Sequence, residues 1–157
     1  MIVLADEGVV SPPELRELRE RLVGFRFPDG ATVIRRHEVW LGNEAMLVPG
    51  DADGPLPALW PLIAGLRGMG TNVADLCELA RMGPDDSIMF GELEISQAAP
   101  LEIDTEYSIQ GEIRDVVRRT GKRSGVFDVV TFELQVLTPS GTSAATVTNS
   151  FVFVRRS

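Results

Sequence analysis

The sequence predicts an α+β domain in which one long helix precedes an antiparallel sheet. Three observations carry that expectation. Residues 58–80 are apolar around much of a helical circumference. After "GPDD" at 83–86 the apolar period switches to two and stays there. The breaks between the later segments are short, which joins neighbours antiparallel.

Taken in order, "SPPELRELRERLVGF" (11–25) reads as a helix. Ser11 is its N-cap, proline sits in the first turn, Leu15, Leu18 and Leu22 recur at helical spacing, and Gly24 stops it. Its Arg and Glu residues form a solvated face. "PDG" (28–30) is a turn, and "ATVIRRHEVWL" (31–41) is predicted as a strand. Strict alternation there places His37, the only histidine, on one face with Val33, Val39 and Leu41, pointing inward as a hydrogen-bonded core residue, with a catalyst borrowed from another position as the alternative. Pro49, Gly50, Gly54, Pro55 and Pro57 make 49–57 a loop. The long apolar helix runs from "ALWPLIAGL" to "TNVADLCELARM" with a break at "RGMG" (67–70). Leu59, Leu62, Ile63 and Leu66 form one stripe, and Val73, Leu76, Leu79 and Ala80 a second. Four strands follow: "IMFGELEIS", "TEYSIQGEIRDVVRR", "VFDVVTFELQVLT" and "SAATVTNSFVFVRR". They form a sheet that must wrap or cover the helix.

A length of 157 residues suits one domain, 1–157, with residues 1–30 as an N-terminal helix and turn extension. Apolar residues make up 44% and charged residues 24%, too apolar a mixture for a disordered chain. A net charge of -8 argues against nucleic-acid binding, which needs a basic surface. The single cysteine, Cys77, lies in an apolar helical run and reads as a buried thiol, so a reducing cytoplasm is the expected compartment. The start "MIVLADEGVV" lacks the basic region of a secretory signal, and no apolar run reaches membrane-spanning length. No metal-ligand cluster, nucleotide-type Gly-rich loop or Cys–His nucleophile arrangement is present.

Residues 90–156, with an "FGE" strand start, a "PL" turn at Pro100–Leu101 and the basic hairpin "RRTGKRSG", resemble the MaoC-like dehydratases and hydratases. The likeness is greatest to their N-terminal-half, histidine-lacking members, and it covers about the last two-thirds of the chain. It implies a hotdog fold, a long central helix wrapped by a curved antiparallel sheet. It also implies acyl thioesters of coenzyme A or an acyl carrier protein as substrates, reversible hydration of a 2-enoyl thioester, no cofactor, and a homodimer or a heterodimer with another hotdog subunit.

Catalytic members of that family carry an acid and a histidine in a G-D-x-N-P-L-H pattern, a pair able to hold a water and move its proton. "GDADGPLP" keeps Gly50, Asp51, Pro55 and Leu56 but has Pro57 near the histidine position. The resemblance makes Asp51 a candidate acid or base, against a plain turn-stabilising role; Asp53 is a weaker one. A second register resembles the β-hydroxyacyl carrier-protein dehydratases, whose acid falls five residues after a glycine. Here Gly70 leads to Asp75, and Pro61 stands near that family's histidine. Between Val73 and Leu76, on a helix suited to burial, an unpaired Asp75 would have a raised pKa and is a candidate general acid or base, against a solvent-facing or end-paired acid, with Glu78 as a weaker candidate for the same role. "RGMG" resembles the family's "HGM", so Arg67, Gly68, Met69 and Gly70 are expected to bind the thioester, with a simple helix kink as the rival reading. Four of the fifteen basic residues lie in the hairpin 118–125, and Arg119, Lys122 and Arg123 are expected to meet coenzyme A phosphates or an acidic carrier protein, or else to be an ordinary solvated tip. The expected function is a substrate-holding subunit. The alternative is a self-sufficient dehydratase or thioesterase using a helix or loop aspartate.

Overall fold

The chain order in a computed structural model, which describes residues 11–49 and 53–156, begins with α1 (Leu15–Leu22), β1 (Gly30–Val33) and α2 (Arg36–Ala45). It continues through α3 (Trp60–Gly68), α4 (Val73–Leu79), β2 (Ser87–Gln97), β3 (Glu106–Gly121), β4 (Gly125–Leu137) and β5 (Ser143–Val154). The strands form one antiparallel sheet in the order β1-β3-β4-β5-β2.

The period-two reading was sound for the whole second half. Ile109 and Ile113 of β3, Val130, Phe132, Leu134 and Val136 of β4, and Val147, Phe151 and Phe153 of β5 are buried on one face. On that face α3 packs across all five strands. The break at "RGMG" is also present, separating α3 from α4.

The apolar stripe chosen from the sequence is not the face that α3 turns to the sheet. Trp60, Pro61, Ala64, Gly65 and Gly68 are buried, whereas Leu62, Ile63 and Leu66 are half-buried and Leu59 is exposed. Small residues win because they let the helix approach: a Cβ on Gly65 would stand 3.1 Å from Leu134 Cδ1, and one on Gly68 would stand 3.2 Å from the Ala31 backbone. The larger side chains are left on the flank.

Two further expectations fail at the start of the chain. The first helix begins at Leu15, not after Ser11, because residues that precede a proline, here Ser11 and Pro12, are held away from the helical region. Of the predicted 31–41 strand only residues 31–33 lie in β1. The rest is α2, whose start is fixed by the Glu38 carboxylate accepting the Arg35 N–H at 2.8 Å. In helical spacing Val39 and Asn43 face inward, so His37 is exposed rather than buried.

A buried ionic clasp holds the C-terminal end of α4. Arg155 donates to Asp128 at 2.8 Å, to Asp86 at 2.9 Å and to the Ala80 carbonyl at 2.8 Å. Arg118 grips both oxygens of the same Asp128, at 2.7 and 2.9 Å, and reaches the Pro13 carbonyl ahead of α1 at 2.8 Å. Two guanidinium groups thus meet two carboxylates, with α-carbonyls absorbing the remaining donors. Burial pushes the Asp86 carboxyl up, but the N–H groups of Gly83 and Arg156 and the Arg155 guanidinium outweigh it and leave it below the usual range.

Candidate functional site

The N-terminal end of α4 borders an apolar cleft of about 580 Å³. Leu66, Arg67 and Met69 from the end of α3, Thr71, Asn72 and Val73 from the start of α4, and Ile88, Met89, Phe90 and Phe151 from the sheet line it. The floor is anchored in the core: the Phe90 ring meets Phe151 edge-on at 5.9 Å, and Phe151 meets Phe132 at 5.1 Å. Aromatic wall and core are therefore one stack.

Of the four residues expected to bind a thioester, two line this cleft. Met69 is buried in its wall. Arg67 stands at its rim with its guanidinium 3.0 Å from Glu38 of α2. The Glu38 carboxyl is lowered first by the Arg35 N–H, against burial, and then by Arg67. Gly68 is buried against Ile109 and Ala31, and so serves the close approach of α3 to the sheet rather than contact with a ligand. Gly70 has φ +66°, and its backbone lies against Pro28, where any Cβ would collide. The N–H groups of Gly70 and Thr71 have no acceptor among the described residues.

The burial expected of Asp75 is not found. Asp75 is exposed, because α4 turns Leu76 and Ala80 inward and leaves Val73, Ala74 and Asp75 outside. Its carboxylate accepts from Asn72 Nδ2 at 2.8 Å and Thr71 Oγ1 at 3.3 Å, while its N–H donates to Asn72 Oδ1 at 2.9 Å. Asp75 thus holds two cleft residues without lining the cleft. Glu78 is exposed as well, and Cys77 is half-buried beside the core, where burial pushes its thiol up. Asp51 lies outside the described residues. Asp53 is exposed and paired with Arg36. In the basic hairpin Arg118 is consumed by the clasp, whereas Arg119, Lys122 and Arg123 are exposed without an ion-pair partner among the described residues.

Sequence reasoning missed β2 and Phe151 as walls. A signal was present: "IMF" at 88–90 places three apolar residues in succession, which breaks the alternation and leaves apolar side chains on both faces of β2. Met89, Phe90 and Leu93 are 52%, 49% and 38% exposed. Among the described residues no cluster of His, Cys, Asp and Glu is placed to hold a metal, and no helix is long and apolar enough to cross a membrane.

No known family pattern matches the chain, and no curated protein matches it in sequence. Solved structures do match in fold. A monoamine oxidase regulatory protein from Archaeoglobus fulgius aligns at TM-score 0.61 and 14% identity, over 87% of this chain and 92% of its own. A MaoC-like dehydratase aligns at TM-score 0.61 and 17% identity, over 87% of this chain but 43% of its own. The C-terminally truncated HadBC (3R-hydroxyacyl-ACP dehydratase) complex from Mycobacterium tuberculosis aligns at TM-score 0.58 and 14% identity, over 83% and 96%. With the β1-β3-β4-β5-β2 sheet laid over α3, these likenesses establish that the chain has the α+β hotdog fold, in which MaoC-like dehydratases are also built.

Proposed function

We propose that this protein is an acyl-thioester-binding hotdog subunit of the 3-hydroxyacyl-thioester dehydratase or enoyl hydratase type, holding substrate for a partner hotdog subunit that supplies the acid–base pair. One observation carries the reading: the apolar cleft is lined by ten described residues, none of them a carboxylate or a histidine. An acyl chain would lie along Met69, Ile88, Phe90 and Phe151. Its thioester would end at the rim, within reach of the Arg67 guanidinium and the Thr71 N–H, which has no acceptor among the described residues. Such donors polarise a carbonyl, but they cannot take a proton from water. Arg119, Lys122 and Arg123 are the cations available to coenzyme A phosphates or an acidic carrier protein, in a cytoplasmic setting.

A second reading is a self-sufficient dehydratase or thioesterase. Its support is Asp75, whose carboxylate is tied to two cleft residues and could accept a proton through them; Asp51 is the other acid available to it.

The test is the absorbance of short and long 2-enoyl coenzyme A thioesters mixed with the purified protein alone. Saturable binding without turnover is the expected result. Turnover abolished by Asp75→Asn or Asp51→Asn would establish the second reading and identify the acid or base. Absence of both binding and turnover would remove the thioester from the function altogether.

A further inference from the structure

One polar side chain on the helix-facing side of the sheet lacks any partner. Asn149 of β5 is 1% exposed, and neither its Oδ1 nor its Nδ2 has a hydrogen-bond partner among the described residues. It shares its face of β5 with Val147 and Phe151, and stands directly across from Phe132 on β4 and Leu93 on β2. All four neighbours are apolar. A buried amide left unpaired carries the full desolvation cost of its donor and acceptor, and an apolar residue of the same shape would remove that cost. An amide kept in such a place is explained when a group from outside the fold completes it.

The surroundings of Asn149 open toward the cleft. Phe151, two residues further along β5, forms part of the cleft floor. On β2 the matching side chains are Phe90, paired with Phe151, and Leu93, paired with Asn149. They are two residues apart on β5 but three apart on β2, because the bulge sets both Gly91 and Glu92 against Ser150. The Ser150 Oγ holds that bulge by accepting the Glu92 N–H at 2.7 Å, and a Cβ on Gly91 would collide with it. Phe90 and Leu93 are thereby spread apart beside the amide. A chain lying along Phe90 and Phe151 meets Asn149 next.

We infer that Asn149 is a specificity site at the inner end of the cleft, and that the acyl chain held there carries a hydroxyl beyond its reacting carbons. A carboxamide offers both an acceptor and a donor, and a hydroxyl satisfies one of each. A keto oxygen would satisfy Nδ2 alone, and a methylene neither. The position along the chain follows from the geometry. With the thioester at the Arg67 and Thr71 rim and the chain passing Phe90 and Phe151, the amide lies about 7 Å further along β5 than Phe151, well past C3. This rests on the thioester reading above and names the kind of acyl chain.

The experiment has two arms. In the first, octanoyl coenzyme A and its 3-hydroxy, 5-hydroxy and 7-hydroxy derivatives are titrated into the full chain by calorimetry. The 5-hydroxy or 7-hydroxy chain is expected to bind about tenfold more tightly than octanoyl coenzyme A, and the 3-hydroxy chain no more tightly. Asn149→Leu is expected to abolish that preference with a melting temperature equal to or above that of wild type. The second arm needs no thioester: 1-octanol or n-octane is added to nitrogen-15-labelled protein, and the side-chain amide signals lost in Asn149→Leu are followed. Octanol is expected to shift them and octane to leave them in place. Equal affinities across the acyl series, or a preference confined to the 3-hydroxy chain, would overturn the inference and leave the thioester reading standing. If no thioester binds, an octanol shift keeps the site and removes the thioester reading, whereas no shift removes both. A lower melting temperature for Asn149→Leu would show that the amide is already satisfied within the fold, and would overturn the inference as well.

Discussion

The two ends of α4 break the ordinary rules of burial in opposite directions. At its C-terminal end two charged groups, Asp128 and Arg155, are buried and two more, Asp86 and Arg118, are half-buried, each with its partners inside the chain. At its N-terminal end aromatic and aliphatic side chains are exposed, and nothing among the described residues covers them. Buried charge is costly unless fully paired, and here it is paired internally. Exposed apolar surface is costly unless something removes it from water, and nothing among the described residues does so here. The clasp therefore explains itself as part of the fold, whereas the cleft is where the proposed ligand would act.

If that contrast is right, stability and binding should separate by substitution. The largest loss of stability is expected from Asp128→Ala, which strips half-buried Arg118 of its counter-charge and leaves buried Arg155 with Asp86 alone: about 3–5 kcal/mol in urea unfolding, with thioester affinity per folded molecule unchanged. A cost below about 1 kcal/mol would show that the clasp is dispensable. Next is Gly70→Ala, which forces a side chain into the left-handed region and against the Pro28 backbone. It is expected to cost about 1–3 kcal/mol, read as a lower melting temperature.

Acid should act on the clasp before the cleft. The Asp86 carboxyl is held below its unfolded value, as are Glu133, chiefly through Arg114, and Glu38. A lowered carboxyl contributes stability above its unfolded pKa, near about 4, and loses it as pH falls through the lower folded value. The urea midpoint is thus expected to hold from pH 7 to about 5 and fall below about 4. Asp86→Asn should flatten that fall, and an unchanged profile would remove Asp86 from the linkage. The smallest effect on folding is expected from Met89→Ser at the cleft wall. Its unfolding free energy should match wild type to within about 0.5 kcal/mol, while thioester binding weakens about tenfold, the value of one buried methionine side chain. A large fall in stability with intact binding would reverse the assignment of the two ends.

Several expectations failed for one physical reason. His37 is expected to face inward because alternation along a strand places it with Val33, Val39 and Leu41, yet the Glu38 carboxylate closing on the Arg35 N–H starts a helix after four strand residues. Asp75 was read as buried because apolar residues flank it, but a seven-residue helix needs only one face inside, and Leu76 and Ala80 occupy it. Flanking composition does not say which way a short helix faces. The candidate site was legible in part: "RGMG" pointed to the α3–α4 junction, where Arg67 and Met69 do line the cleft, while Gly68 proved to be a packing contact.

The sequence by itself determined the sheet. Near-alternation over the β3, β4 and β5 segments and short turns between them fix which face is buried, since slipping by one residue would expose the core side chains. Position along the chain also determined the break between the two central helices, where two glycines flank Met69. Only the tertiary structure decided which face of α3 meets the sheet, because that depends on how closely Gly65 and Gly68 let two backbones approach. It alone brought Phe90 and Phe151 to the α3–α4 junction and gathered Arg118, Asp128, Arg155 and Asp86 into one clasp. Those contacts join residues tens of positions apart, and local pattern carries no information about which distant strand will lie alongside.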